Sequence, residues 1–156
     1  MIVGIAGSYA TGFYSSKTKI KMITEDYVSF ETAKLLKEKG FDEKCQMCWD
    51  EITKTMESAD KYATNSELLA TYISAPTLQM ATKWLREVHH LFIGCEPRLS
   101  FTDFYWITAN IYRVRKKSSL YHTEDVDDYH CVASCDSHSY EDACERAIKY
   151  CLEKLI

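Results

Sequence analysis

The chain has 156 residues, 46% hydrophobic and 27% charged, with five glycines and two prolines. That is one domain's worth of polypeptide, long enough to bury a real core, and it excludes collagen-like, low-complexity and linker-dominated chains. The net charge of -4 is spread evenly, about -2 in residues 1–78 and about -2 in 79–156, so the surface on average repels phosphate.

Residues 1–21 differ in composition from the rest of the chain: they are rich in Gly, Ser, Ala and Tyr and hold three of the five glycines. They are expected to form an N-terminal extension, loosely packed, ahead of a single domain over 22–156. Gly7 and Gly12 have the spacing of a phosphate-cradling loop. Phe13 and Tyr14 stand where lysine and a hydroxyl residue would be needed, and this excludes a nucleotide-binding loop. The apolar stretch from Ile2 to Gly7 is too short for a secretory signal, and no apolar run is long enough to span a membrane. With seven cysteines, an odd number, the expectation is a reducing cytoplasm and free thiols.

The first helix is marked by Ser29 as its cap and by Phe30, Ala33 and Leu36 as its apolar stripe. Gly40 is placed for a left-handed exit, which would fold Phe41 back on Leu36. A helix-turn-helix is excluded, because no second helix follows the short turn. Residues 44–64 are ambiguous, with Cys45 to Ile52 a strand or a helix start, and Asn65 offers a cap before Ser66. Ser74-Ala75-Pro76 opens a second helix with the stripe Leu78, Ala81, Trp84, Leu85 and Val88, ending near His89-His90. Leu91 to Cys95 reads as a strand that Pro97 interrupts. Residues 103–114 read as the best strand, with Tyr105, Ile107, Ala109 and Ile111 on one face and Phe104, Trp106, Thr108 and Tyr112 on the other. Tyr129 to Cys135 is a shorter strand. Ser139 with Asp142 then opens a last helix whose stripe is Ala143, Ala147, Ile148, Cys151, Leu152 and Leu155. The connection from Val114 to Tyr129 is too short for a parallel crossover. The predicted class is α+β: a small antiparallel sheet of three to five strands with about three helices packed on one face.

Chemistry-bearing patterns are weak. Cys45-x-x-Cys48 has a zinc-arm spacing, and His130, Cys131, Cys135 and His138 add possible ligands, for example Cys45, Cys48, Cys135 and His138 together. In a strand, Cys131 and Cys135 would lie about 13 Å apart, too far to share one ion. No cofactor is expected, with zinc as the exception to test. Cys45 and Cys48 lack the strand-to-helix context of a redox pair. His130 and Cys131, as strand neighbours, point to opposite faces, so no nucleophile–base pair is legible and the reading leans away from an enzyme. The basic run Arg113, Arg115, Lys116 and Lys117 is the only feature that suggests nucleic acid. The aromatic strand is stronger: only one face can meet the helices, and the other would expose Phe104, Trp106 and Tyr112 to a protein partner or a second copy.

Three segments, residues 21–42, 75–89 and 140–155, resemble a group of small proteins encoded by phages and mobile elements of gut Bacteroidales. The resemblance covers the three helices well and residues 44–64 and 96–138 poorly. Members of that group begin near the position of Met22. The resemblance implies a phage or mobile-element setting inside a bacterium. No activity is assigned to the group, so it carries over no functional residue. Together these readings give a non-enzymatic accessory protein acting as an interaction module, with a nucleic-acid module or a small zinc protein as the alternatives.

Overall fold

The computed structural model describes residues 24–99, 105–115 and 128–156. The expected extension 1–21, Phe104, Lys116 and Lys117 lie outside the described residues, as does the side chain of Arg115. The elements in chain order are α1 (Phe30–Glu38), β1 (Cys45–Asp50), β2 (Met56–Ala63), β3 (Tyr72–Ala75), α2 (Leu78–His89), β4 (Leu91–Leu99), β5 (Tyr105–Arg115), β6 (Asp128–Ser137) and α3 (Tyr140–Tyr150). A π-helical turn, Cys151–Leu155, continues α3. The class is α+β, and the described residues form three α-helices and only antiparallel strand pairs. The six described strands divide into two sheets of three, ordered β2-β1-β3 and β4-β5-β6.

The helix ends follow local chemistry. The Ser29 hydroxyl accepts from the Thr32 amide at the start of α1. At its end Gly40 takes φ +89°, the Gly40 amide donates to the Lys37 carbonyl and the Phe41 amide donates to the Leu36 carbonyl. That is the two-bond Schellman ending, and it delivers Phe41 to the core, where its ring meets Trp84 edge-on at 5.6 Å. The cap of α2 is Thr77, with Pro76 just before it and Ser74 and Ala75 in β3, so this helix starts later than the proline suggests. Residues 26–28 lie beside 76–78, joined by Val28 to Pro76 and by Leu78 to Asp26 amide–carbonyl bonds. This bond pair places the entries of α1 and α2 side by side. At α3, Ser139 caps the Asp142 amide, but Asp142 does not reach back. Its shorter side chain instead accepts from the Ser137 hydroxyl and pairs with Arg146.

Tertiary partners settle one open reading and correct three further expectations. The ambiguous region 44–64 is the β1–β2 hairpin. Asn65 caps no helix; its amide donates to the Phe41 carbonyl and its oxygen accepts from the Ser74 amide, which ties the hairpin exit to β3. Pro97 does not end β4, because β4 is an edge strand and the missing N–H leaves no central ladder bond unmade. Val88 leaves the apolar stripe of α2 and is 54% exposed.

One core cluster joins all three helices and both sheets. It contains Val28, Leu36, Ile73, Leu85, Ile111 and Ile148 among others. α3 lies across the inner face of the second sheet and buries Ala143, Cys144, Ala147, Ile148, Cys151 and Leu152. Ala109 in β5 and Ala143 and Ala147 in α3 are all fully buried. Their small side chains let the helix close on the strand layer. The Glu145 carboxylate of α3 reaches the first turn of α1, accepting from the Ser29 amide at 3.0 Å and from its hydroxyl at 2.6 Å.

Candidate functional site

Because α3 covers one face of the second sheet, residues of opposite parity form its outer face. No described helix packs there. The register sets four rows across it. Arg98 pairs with Trp106; Glu96, Thr108 and Asp136 align; Gly94, Asn110 and Ser134 align; and Phe92, Tyr112 and Cys131 close the far end beyond a bulge in β6. The middle rows are a hydrogen-bonded polar floor. The Thr108 hydroxyl donates to Asp136 at 2.6 Å, and the Asn110 amide donates to Glu96 at 2.8 Å. Thr108 and Asn110 are buried, so each has the partner that burial of a polar group demands. Glu96 also faces the Arg98 guanidinium at 3.5 Å.

At one end of this floor Trp106 stands 40% exposed, stacked on His138 with ring centroids 4.2 Å apart and planes at 30°. At the other end Tyr112 is half-buried. Its ring lies across Gly94, where an added Cβ would meet Tyr112 Cε2 at 3.9 Å. Of the three aromatics singled out from the sequence, Trp106 and Tyr112 therefore share the outer face, and Phe104 lies outside the described residues. Sequence reading missed Arg98, Glu96, Asp136 and Asn110, placed Thr108 on this face only through the alternation of the strand, and singled out His138 only as a metal ligand. Their period-two spacing was visible, but which positions sit opposite Trp106 and Thr108 depends on register, and register is a long-range property.

Of the basic run, Arg113 alone has a described side chain, and it turns away from this face. Arg113 has the inner parity of β5, and its Nη2 donates to the Leu155 carbonyl at 3.1 Å, tying the strand to the last turn of the chain. Arg113→Ala is expected to lower stability by about 1.5–3 kcal/mol, as for a charged donor on a carbonyl. Urea unfolding checks this; a loss below about 0.5 kcal/mol would return Arg113 to the set of free surface cations.

The proposed zinc ligands are dispersed. Cys45 and Cys48 belong to the first sheet, Cys135 and His138 to the second sheet and its exit. The Cys45 thiol donates to the Glu43 carbonyl and the Cys48 thiol to the Glu57 carbonyl. Among the described residues no group of three or more His, Cys, Asp or Glu side chains converges as a metal site. Burial pushes the Cys45 thiol up to about 12, and burial with the Glu57 and Asp50 charges raises Cys48. That is the reverse of an activated redox pair.

Two open grooves flank the helix entries. The larger, about 650 Å³, is lined by Tyr27, Gln46, Tyr62, Lys83 and Arg86 among others. Its one thiol is the protonated Cys45, so it offers no activated nucleophile. The other, about 480 Å³, is lined by Glu25, Asp26, Glu141, Asp142 and Glu145 around Trp49. Two of its carboxylates already serve the fold, Glu145 on Ser29 and Asp142 on Ser137 and Arg146. No helix among the described residues is long and apolar enough to cross a membrane. No protein-family model matches this chain, and neither a curated protein nor a solved structure matches it.

Proposed function

We propose that this chain is a non-enzymatic interaction module that binds a protein partner through the outer face of its second sheet. The observation that carries the reading is Trp106, left 40% exposed on a sheet face where no described helix packs and stacked on His138. Trp, Tyr and Arg are the residue types that dominate binding energy at protein interfaces, and Trp106, Tyr112 and Arg98 stand on this face together. A rigid aromatic loses little entropy on binding, and a satisfied polar floor beneath it excludes water without unpaired groups. The resemblance of the three helices to phage and mobile-element proteins supports an accessory role in such a setting, and the same face could pair two copies of the chain.

The test is affinity capture of the tagged full chain from cells that naturally make it, with crosslinking and a parallel sedimentation measurement for self-association. Trp106→Ser is expected to weaken the captured complex, or the homodimer, at least about 30-fold, the equivalent of about 2 kcal/mol for an interface anchor. Its far-ultraviolet circular dichroism should stay native. A partner held equally by both proteins would overturn the reading. A variant that fails to fold would also overturn it, since Trp106 would then belong to the core.

A further inference from the structure

The register of the second sheet decides which charges stand beside Trp106 on the outer face. His138 stacks on the indole with ring centroids 4.2 Å apart, and Trp106 is still 40% exposed. In the next row inward, Thr108 is flanked by Glu96 of β4 and Asp136 of β6. Asp136 is therefore a diagonal cross-strand neighbour of Trp106, close enough for one ligand to span both. The neutral donors of β5 are already committed to these carboxylates: Thr108 Oγ1 donates to Asp136 Oδ1 at 2.6 Å, and Asn110 Nδ2 donates to Glu96 Oε1 at 2.8 Å. The two carboxylates differ in charge partner. Glu96 has the Arg98 guanidinium at 3.5 Å on its own strand. Arg146, arriving from α3, donates to the Asp136 backbone carbonyl at 2.9 Å and pairs through Nε with the Asp142 carboxylate at 3.4 Å. Among the described residues no cation pairs with the Asp136 carboxylate itself. On the basis that this face is the binding surface, we propose that its partner is a protein segment that lays an arginine across Trp106 and pairs it with Asp136.

The chemistry of the two groups selects a guanidinium. A carboxylate offers about four lone-pair sites, and the Thr108 hydroxyl fills only one of those on Asp136. What this end of the face lacks is a charged donor. An indole ring attracts a cation through its quadrupole, more strongly than the other aromatics do. A guanidinium is flat enough to stack on that ring while its edge N–H groups reach a neighbouring carboxylate, and the compact ammonium of lysine has no such second plane of contact. Arg98 does not occupy the place, because it stands on β4, the edge strand opposite β6, and is turned to Glu96. The sign of the partner follows from the same register. Arg98 is the one lysine or arginine among the described residues of this face, against the carboxylates of Glu96 and Asp136, so an anionic segment is repelled where a basic one is drawn in.

The experiment titrates the nitrogen-15-labelled full chain with acetyl-triarginine amide and, separately, with its uncharged citrulline analogue, following the Trp106 indole and the Thr108 and Asp136 amides by NMR. The arginine peptide is expected to shift these three signals together, with binding that weakens as salt is added, and the citrulline peptide to leave them in place. Asp136→Asn keeps an oxygen for the Thr108 hydroxyl and is expected to weaken the arginine peptide about fivefold. The same variant in the affinity capture separates the two claims. If Trp106→Ser loosens the captured complex and Asp136→Asn does not, the face binds its partner without an arginine at Asp136. If neither variant loosens it, the face is not the binding surface at all. On the unaltered chain, equal shifts from the citrulline peptide, shifts confined to the acidic groove of Glu25 and Glu141, or no shift of the Trp106 indole at about 10 mM peptide would each overturn the proposal, whatever the variants do.

Discussion

Raising the pH above about 9 is expected to unfold this protein steeply. Burial pushes the Cys45 and Cys151 thiols up to about 12 in the folded chain, against 9.0 for a thiol in the open chain. Both side chains are essentially inaccessible, at 2% and 0% exposure, so solvent does little to screen the effect. A group raised on folding contributes its full stability below the unfolded value and loses it as pH climbs toward the folded value. Between those limits the folded state holds two protons that the unfolded state has released. Stability then falls by about 2.7 kcal/mol per pH unit, and two units remove about 5 kcal/mol, as much as a marginal domain has. Cys144, raised by its bond to Cys95 and by burial, adds to the loss, and Cys95, lowered by the same bond, opposes it. Urea midpoints from pH 8 to pH 11 check the slope. In a Cys45→Ala, Cys151→Ala double variant the slope should be markedly shallower, whatever the variant's starting stability. A flat profile in the unaltered chain would contradict the assigned burial of these thiols.

Phe41→Ala is expected to cost about 3–5 kcal/mol, the usual loss for emptying a buried phenylalanine site. Phe41 is 1% exposed and joins two elements at once. Its amide closes the end of α1 on the Leu36 carbonyl, and its ring meets Trp84 of α2 edge-on. The Trp84 ring in turn touches His89 at 4.6 Å, so the cavity would sit between two helix ends with little freedom to collapse. Gly40→Ala isolates the backbone part of the same feature. An added Cβ at Gly40 has nothing within 4 Å, so its effect is conformational only, on the order of 1 kcal/mol at φ +89°. Urea unfolding of both variants checks the ratio. Equal losses would mean that the helix ending, and not the packing of Phe41, carries the stability.

The local features were legible in the amino-acid order. Ser29 and Ser139 cap the helices expected of them, because a cap needs only a hydroxyl and an amide two or three residues away. Gly40 and Phe41 ended α1 as expected for the same reason. The aromatic and β-branched density of residues 103–114 marked β5, and its alternation correctly divided Ala109 and Ile111 from Trp106 and Tyr112. Asn65 misled because an asparagine oxygen that could cap a helix found a strand amide instead. Pro97 misled because its effect depends on whether a strand lies at an edge, which composition does not state.

By itself, then, the sequence determined the α+β class, the three helices with the Ser29 and Ser139 caps of two of them, and the strand that carries the exposed tryptophan, since each rests on contacts a few residues apart. The tertiary structure decided what distance along the chain conceals. It split the strands into two sheets and turned Arg113 inward to the Leu155 carbonyl. It scattered Cys45, Cys48, Cys135 and His138 between those sheets. Register and helix placement answer to burial of the whole apolar surface, a sum over all the elements that no single segment contains.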